Sequence, residues 1–418
     1  MTYSANKFFI SFQKNKTRIL WTITLILSAY FINFVFINID KPTQGFATYY
    51  TSSKLLIQGE KVESFYNNDW FSLKVKNYVS GVYEIYFVNP PTTSLMLVPI
   101  APFNYKTARF IWIIFNLILL AFSIGFLIKE LNFTDEWLPT VLILFLIFHP
   151  LYVNFAYAQA YILIFFLLVL SWNAFRSEDQ TLLGILVGIM VMLKFSGVIL
   201  LLLLITQKKW RSIFWMFATI ISLIILSLPW IGLKAWFIFG EKLFQLNSLS
   251  LLSVTAYQTI HSFFYHIFVF NQQWNPFPII DLLDLGILLS AVISLFLLGG
   301  TIFYSYRCKN SELNLSVFII TGVVLSPVSL DYHYIVLFLP FLIFIKQFRE
   351  NCTKYLWILL ILFYALIATG LPYTSDKLAK GWLSIFAYPK LYGALGLLWL
   401  FFYQLSGAKF RKYFLSSR

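Results

Sequence analysis

Two long apolar runs, Leu285 to Tyr304 and Leu182 to Ile205, constrain this chain more than any other feature. A helix needs about 20 apolar residues to cross the hydrocarbon of a bilayer, and it must satisfy its own backbone N–H and C=O groups on the way. Strands of a membrane barrel would alternate apolar and polar residues over about 10 positions. These runs do not alternate. Of the 418 residues, 60% are hydrophobic and 11% charged, with a mean hydropathy of +0.77. An ordinary soluble domain is about 25% charged. The composition excludes a soluble enzyme, a disordered chain and a disulfide scaffold. The chain reads as an all-α polytopic membrane protein, one domain over 1–418.

About twelve crossings are expected, at roughly 19–38, 91–103, 107–128, 138–154, 157–175, 182–205, 211–231, 284–305, 313–328, 332–347, 354–371 and 388–405. The second is short and opens on a Pro-Pro pair. The first is too long for a signal peptide, and no small-residue cleavage site follows it. With the N-terminus inside, one side collects 18 Lys and Arg, Lys106 and Arg109 among them, against Glu312 and Glu350. The other side holds 12 basic and 15 acidic residues. This bias is the positive-inside pattern. It places both termini in the cytoplasm and the protein in a cell inner or plasma membrane. It also accounts for the net charge of +14 without nucleic acid as a partner. Cys308 and Cys352 fall in loops assigned to the reducing side, so no disulfide is expected. No small-xxx-small stripe dominates a helix, and a monomer is expected.

The loops assigned outside are 39–90, 232–283 and 372–387, and reactive groups are expected there. In the first, Phe46, Tyr49, Tyr50, Ser53, Leu56 and Ile57 recur at helical spacing, and Gly59 reads as a C-cap. This predicts an amphipathic helix lying in the interface. A second short helix is predicted from Asp69 to Tyr78.

Five pieces in order, over about 45–341, carry a family resemblance. GFATYYTSSKLLIQGEKVESFY is similar to an opening "DF…YY.AA..ll.G..lY". NPPTTSLMLVPIAPFNYKTARFIWIIFN is similar to the Pro-Pro re-entry that follows it. AYAQAYILIFFLLVLSWNAF with LLGILVGIMVMLKFSGVILLLLL resembles "GQ.n.lll…lK..P.lll". LSPVSLDYHYIVLFLP resembles "SP.SW.hH", and AYQTIHSFF resembles "NQSl.g". The family is that of the GT-C membrane glycosyltransferases, within them the PimE-like polyprenyl-phosphate-mannose-dependent α-1,2-mannosyltransferases of glycosyltransferase family 87. The resemblance implies a GT-C-like fold. It implies inverting transfer of a sugar, mannose or its variant arabinose, from a polyprenyl-phosphate donor to a glycolipid or glycan hydroxyl on the outer face. No cofactor is implied, and metal independence is expected. The chain departs from the pattern in four places. Gly45 stands for the family's catalytic Asp, Ala158 precedes Gln159 in place of Gly, Leu330 replaces Trp, and Tyr332 replaces the first of two His.

Such chemistry needs a base for the acceptor proton, a cation or donor set for the leaving phosphate, and a groove for the lipid. Asp331 and His333, two residues apart at an outer helix start, are the candidate catalytic pair; Asp331 alternatively caps that helix. Asp40 is the further candidate base, or simply a polar marker of the membrane exit. Lys194 is the one basic residue expected deep within a span rather than near its ends, where a charge costs roughly 2.5–3.5 kcal/mol on insertion scales. It is expected to contact the lipid phosphate or a carboxylate, or else to snorkel to an interface. Tyr49, Tyr50 and Tyr66 either stack on sugar or belong to an aromatic belt. Gln159 and Gln258 either bond sugar hydroxyls or tie helices together. His149 reads as structural, near the cytoplasmic end of its span. His261 and His266 lie five residues apart, off the spacing of a helical metal pair, and no metal site is expected. Trp236 and Trp274 are candidates for an acceptor lid. Two other functions compete. A lipid-linked-sugar transporter or flippase usually has matching halves, which this sequence lacks. A non-catalytic lipid-binding relative is motivated by Gly45.

Overall fold

In the computed structural model, which describes residues 2–86, 89–194, 197–245, 250–350 and 352–406, α-helices are joined by 3-10 turns with no strand among those residues. The first half holds α1 (Thr2–Asn38), α2 (Phe46–Ile57), α3 (Asn68–Tyr78), α4 (Tyr105–Leu131), α5 (Leu138–Leu146), α6 (His149–Tyr157), α7 (Tyr161–Arg176) and α8 (Gln180–Lys194). The second holds α9 (Val198–Thr206), α10 (Trp210–Ile231), α11 (Leu233–Gln245), α12 (Ile260–Phe268), α13 (Leu283–Arg307), α14 (Ser311–Leu325), α15 (Phe338–Phe348), α16 (Lys354–Ala368) and α17 (Pro389–Ser406). Short polar side chains start many of them: Asn67, Asn104, Thr259, Asn310 and Thr353 each accept from a backbone N–H of the first turn. Five helical stretches are long and apolar enough to cross a membrane, or seven if the two pairs bent by 52° each count as one span. The protein is a membrane protein.

Contacts between chain-distant side chains fix which helix ends lie together. At one end, which we call the rim, Arg109 near the start of α4 donates to Asn38 O at 3.1 Å, Ile39 O at 3.2 Å and Ala156 O at 2.7 Å. A cation thus satisfies the last carbonyls of α1, where the helix dipole is negative. At the far end Arg176 pairs with Glu130 and Lys209 with Glu178, and Gln207 Nε2 donates to Ser305 Oγ at 2.8 Å.

These contacts correct the expected crossings twice. Segment 91–103 is no span: it is a 3-10 turn, Pro91–Leu95, followed by further turns at the rim. Pro91, Pro99 and Pro102 remove the N–H groups that a helix there would need. Instead Lys54 Nζ, on α2, holds Ala101 O at 2.9 Å, and Tyr50 Oη donates to Phe103 O at 2.8 Å. The run 182–205 is not one span but two helices, α8 and α9, on either side of a break that includes Gly197. A Cβ at Gly197 would sit 3.1 Å from Val187 O, and Gly184 and Gly188 of α8 meet Ser212 and Met216 of α10 in the same order, so α8 and α10 run parallel and α9, between them in the chain, runs back. One false crossing inverts every assignment after it, and the missed reversal restores them. Lys106 and Arg109 therefore stand at the rim, and Lys129, Glu130, Arg176, Glu178 and Asp179 move to the far end.

Two smaller expectations also change. The helix predicted at 45–58 exists as α2, and Gly59 follows it with φ +82°, but Phe46 to Ser53 are all buried, so it lies inside the protein rather than on the interface. A small-residue pair does exist on α8. A Cβ at Gly184 would lie 2.3 Å from Ser212 O, and one at Gly188 2.9 Å from Met216 O. Both glycines serve the close approach of α10 within the chain.

Candidate active site at the rim

The turn before α2 sets the geometry. Gly45 has φ +78° and ψ −72°, and Phe46 N donates to Gln44 O at 3.0 Å, which closes a γ-turn of the rare positive-φ kind. Gly45 offers α2 no side-chain cap. The cap comes from Glu84, 39 residues on: its Oε1 accepts from Gly45 N at 3.0 Å and its Oε2 from Thr48 Oγ1 at 2.8 Å. The resemblance expects an acid at position 45, and the carboxylate that reaches that amide is supplied by Glu84. Burial pushes the Glu84 carboxyl above the usual carboxylate range, against the pull of Thr48, the Gly45 amide and the Lys194 ammonium. Sequence reasoning missed this residue. Nothing in a lone Glu within a polar loop marks it.

Lys194 is at the last residue of α8, not in mid-span. The turn Pro91–Leu95 locks the end of that helix: Thr92 Oγ1 donates to Met192 O, and Thr93 Oγ1 to Leu193 O at 3.2 Å. Lys194 Nζ then donates to Asn89 Oδ1 at 2.8 Å and lies 4.7 Å from the centre of the Tyr49 ring. Tyr49 Oη donates to Gln159 Oε1 at 2.6 Å. The other face of the Gln159 amide fills the space above Gly45, where a Cβ would fall 2.0 Å from Nε2. Gly45, Tyr49, Gln159 and Lys194 are thus one packed unit built from α2, the turn before α7, and α8.

The third wall is the 3-10 turn Asp331–Leu337. His333 stacks on Tyr332 and Tyr161, with ring centres 4.5 and 4.1 Å away. Its Nδ1 accepts from Leu330 N at 3.0 Å, which assigns the proton of the neutral ring to Nε2. Glu84, Lys194, Tyr257, Tyr332 and His333 are deeply surrounded by protein, yet each keeps accessible surface. They line an interior recess. Its charged groups act on one another: Lys194 attracts Glu84, and Tyr257 and Tyr332 both lie within the field of the carboxylate.

Asp331 does not join His333. It turns to the other side, where Oδ2 meets His149 Nδ1 at 3.0 Å and accepts from Tyr373 Oη at 3.3 Å. Oδ1 lies 3.1 Å from Lys390 Nζ. Lys390 is fully buried and also donates to Ile367 O at 2.7 Å and Thr369 O at 3.2 Å. The expected Asp331–His333 pair is replaced by a knot that ties α6, α16 and α17 to this turn. In a 3-10 turn of three residues per turn, side chains two positions apart point about 120° from each other, enough to part Asp331 from His333. His149 belongs to this knot at the rim rather than to the end where α1 starts, a consequence of the corrected crossings.

The other candidates fall outside the recess. Asp40 is exposed at the end of α1, with Lys106 3.7 Å away. Tyr50 is committed to Phe103 O, and Tyr66 Oη donates to Asn89 O at 2.9 Å, so Tyr66 holds the backbone beside the Lys194 partner. Gln258 is fully buried and engaged within the protein: its amide nitrogen donates to Thr255 O and Ala387 O, and its oxygen accepts from Lys390 N. His266 bridges Ser253 O and Ala379 O, while His261 meets Ser290 Oγ at 3.3 Å. Trp236 packs on Phe239, and Trp274 is exposed. Among the described residues no three His, Cys, Asp or Glu side chains stand close enough to hold a metal ion.

Compared with known families, residues 87–328, more than half of the chain, match the model of glycosyltransferase family 87. Asn89, Gln159, Lys194 and Tyr257 fall inside the matched region; Gly45, Tyr49, Glu84 and His333 fall outside it. No curated protein and no solved structure matches the chain.

Proposed function

Because this chain belongs to glycosyltransferase family 87, we propose that it transfers a sugar from a polyprenyl-phosphate donor to a hydroxyl of a glycolipid or glycan, with inversion, in the recess at its rim. Mannose is the sugar we propose first, with arabinose as the variant. The observation that carries this reading is the state of Lys194. Its ammonium is anchored by a neutral amide and a ring face, which leaves N–H donors for an incoming anion. Within the field of that ammonium, His333 offers Nε2–H as a second donor. Two preset donors are what a departing phosphate monoester requires, because its charge grows as the sugar leaves. A lipid-borne donor also suits a chain with neither a GxGxxG turn after a strand nor a P-loop.

The orientation follows from the corrected ends. Among the described residues, the end holding the start of α1 has 14 basic against 7 acidic residues, a net of +7. The rim has 13 against 10, a net of +3. The bias still favours the far end for the cytoplasm. On this reading the rim is the outer face, both termini are cytoplasmic, and twelve helical legs cross the bilayer, with α8 and α9 counted separately and segment 91–103 dropped.

The test is transfer by the purified protein in proteoliposomes, from radiolabelled polyprenyl-phosphate mannose and polyprenyl-phosphate arabinose, to extracted glycolipid. Wild type is expected to transfer one of the two sugars. Lys194→Met is expected to lose about 10²–10³-fold in kcat, the usual cost of one oxyanion donor. Wild type that transfers neither sugar overturns the reading in favour of a lipid-binding relative.

A further inference from the structure

We propose that Glu84 is the group that takes the acceptor proton, an assignment that rests on the transferase reading above. Three observations support it. The carboxylate is held in one place, Oε1 by Gly45 N and Oε2 by Thr48 Oγ1, with the Ile85 amide as a further backbone donor. A carboxylate offers about four acceptor sites, more than these three donors fill, and the side chain retains accessible surface. The other carboxylates proposed for the role are spent. Asp331 is bound by Lys390, His149 and Tyr373, and Asp40 is exposed on the outside of α1. Finally, Glu84 lies within the field of the ammonium assigned to the phosphate, so acid and cation are near one another at the rim.

The step balances without any added reagent. The acceptor hydroxyl oxygen bonds to the anomeric carbon while the bond from that carbon to the phosphate oxygen breaks. The electron pair leaves with the polyprenyl phosphate, and the hydroxyl proton passes to Glu84. A helix cap alone would use the same two bonds to Glu84, so the test must separate capping from proton transfer. Gln in place of Glu can still accept from Gly45 N through its oxygen and donate from its NH2 to Thr48 Oγ1, but it cannot take a proton at neutral pH. The charged and titratable groups facing Glu84 are Lys194, Tyr49, Tyr257 and Tyr332. The phenols stay protonated through the working range, because burial pushes Tyr49 and Tyr257 up.

The experiment compares wild type with Glu84→Gln in three readouts: thermal midpoint, binding of polyprenyl phosphate, and kcat for sugar transfer against pH. The expected result is an unchanged midpoint, unchanged polyprenyl-phosphate binding, a loss of about 10²–10⁴-fold in kcat and disappearance of the limb rising with pH. Transfer within threefold of wild type, or a retained limb, overturns the assignment. Where Glu84→Gln fails to fold, Thr48→Val decides. It removes one bond that favours the anion, so the limb should move to higher pH, and an unmoved limb overturns the assignment. An inactive wild type overturns the function reading and this inference with it; an active Glu84→Gln beside an active wild type overturns this inference alone.

Discussion

Gly45→Ala probes the packed unit on which the candidate site stands. The substitution has two costs that the structure separates. The first is backbone: a residue with a Cβ held at φ +78° in a γ-turn carries about 1–3 kcal/mol of strain. The second is Gln159. The new Cβ would lie 2.0 Å from its Nε2 and 2.7 Å from its Cδ, so the amide must swing away and give up Tyr49 Oη. Tyr49 is buried, and leaving its hydroxyl without a partner costs about 1–3 kcal/mol. The single change should therefore destabilise by about 2–6 kcal/mol. Gln159→Ala alone loses only the second part. In the double variant the space is already clear, so it should be less destabilised than the sum of the singles by about the Tyr49–Gln159 contribution. Thermal midpoints in one detergent, read by intrinsic fluorescence, give the ranking. A Gly45→Ala protein as stable as wild type would refute the reasoning, as would a double variant whose losses simply add.

Lys390→Met should be severe, because it strands the Asp331 carboxylate and leaves Ile367 O and Thr369 O unpaired. A loss of about 3–5 kcal/mol is expected, partly recovered when Asp331→Asn is added; equal midpoints for wild type and Lys390→Met would contradict the knot. His261 gives a pH dependence whose sign is fixed. Burial holds its imidazole down at about 4 against an ordinary 6.5, so below pH 6.5 the unfolded chain takes up a proton that the folded chain refuses. Stability present above pH 6.5 should fall as pH drops toward 4, by at most an amount on the order of 3 kcal/mol. His261→Phe should flatten that part of a midpoint-against-pH curve, and an unchanged slope would exclude His261 as its source. Tyr49→Phe should keep the ring beneath Lys194 while freeing Gln159. A modest fall in midpoint with donor binding retained is expected, whereas loss of donor binding would mean that the hydroxyl itself touches the ligand.

The helices were legible because apolar length and the short polar caps are local properties. Asn104, Thr259, Asn310 and Thr353 stand where the helices begin. The crossings were not legible, because a run such as 91–103 is apolar for burial against α2 rather than against lipid. Its three prolines carried the contrary signal. The break between α8 and α9 was marked only by Lys194 and Gly197 inside an otherwise apolar stretch. At the site, Lys194, Tyr49, Gln159 and His333 were all visible as polar groups in apolar surroundings. Their partners were not. Asn89 comes from 105 residues away and Glu84 from 39, and no periodicity encodes such distances. Asp331 and His333 looked like a pair because they are neighbours in sequence, and the 3-10 turn points them about 120° apart, to different partners.

The central claim is that the rim recess receives the donor phosphate. It is tested most directly by a density map of the protein with a polyprenyl-phosphate sugar or polyprenyl phosphate bound. The phosphate is predicted within hydrogen-bond reach of Lys194 Nζ, with His333 Nε2 alongside and the isoprenoid tail leaving toward the membrane. A phosphate seated at the far end among Arg176, Lys209 and Arg211, or against the Lys390 knot, would contradict it.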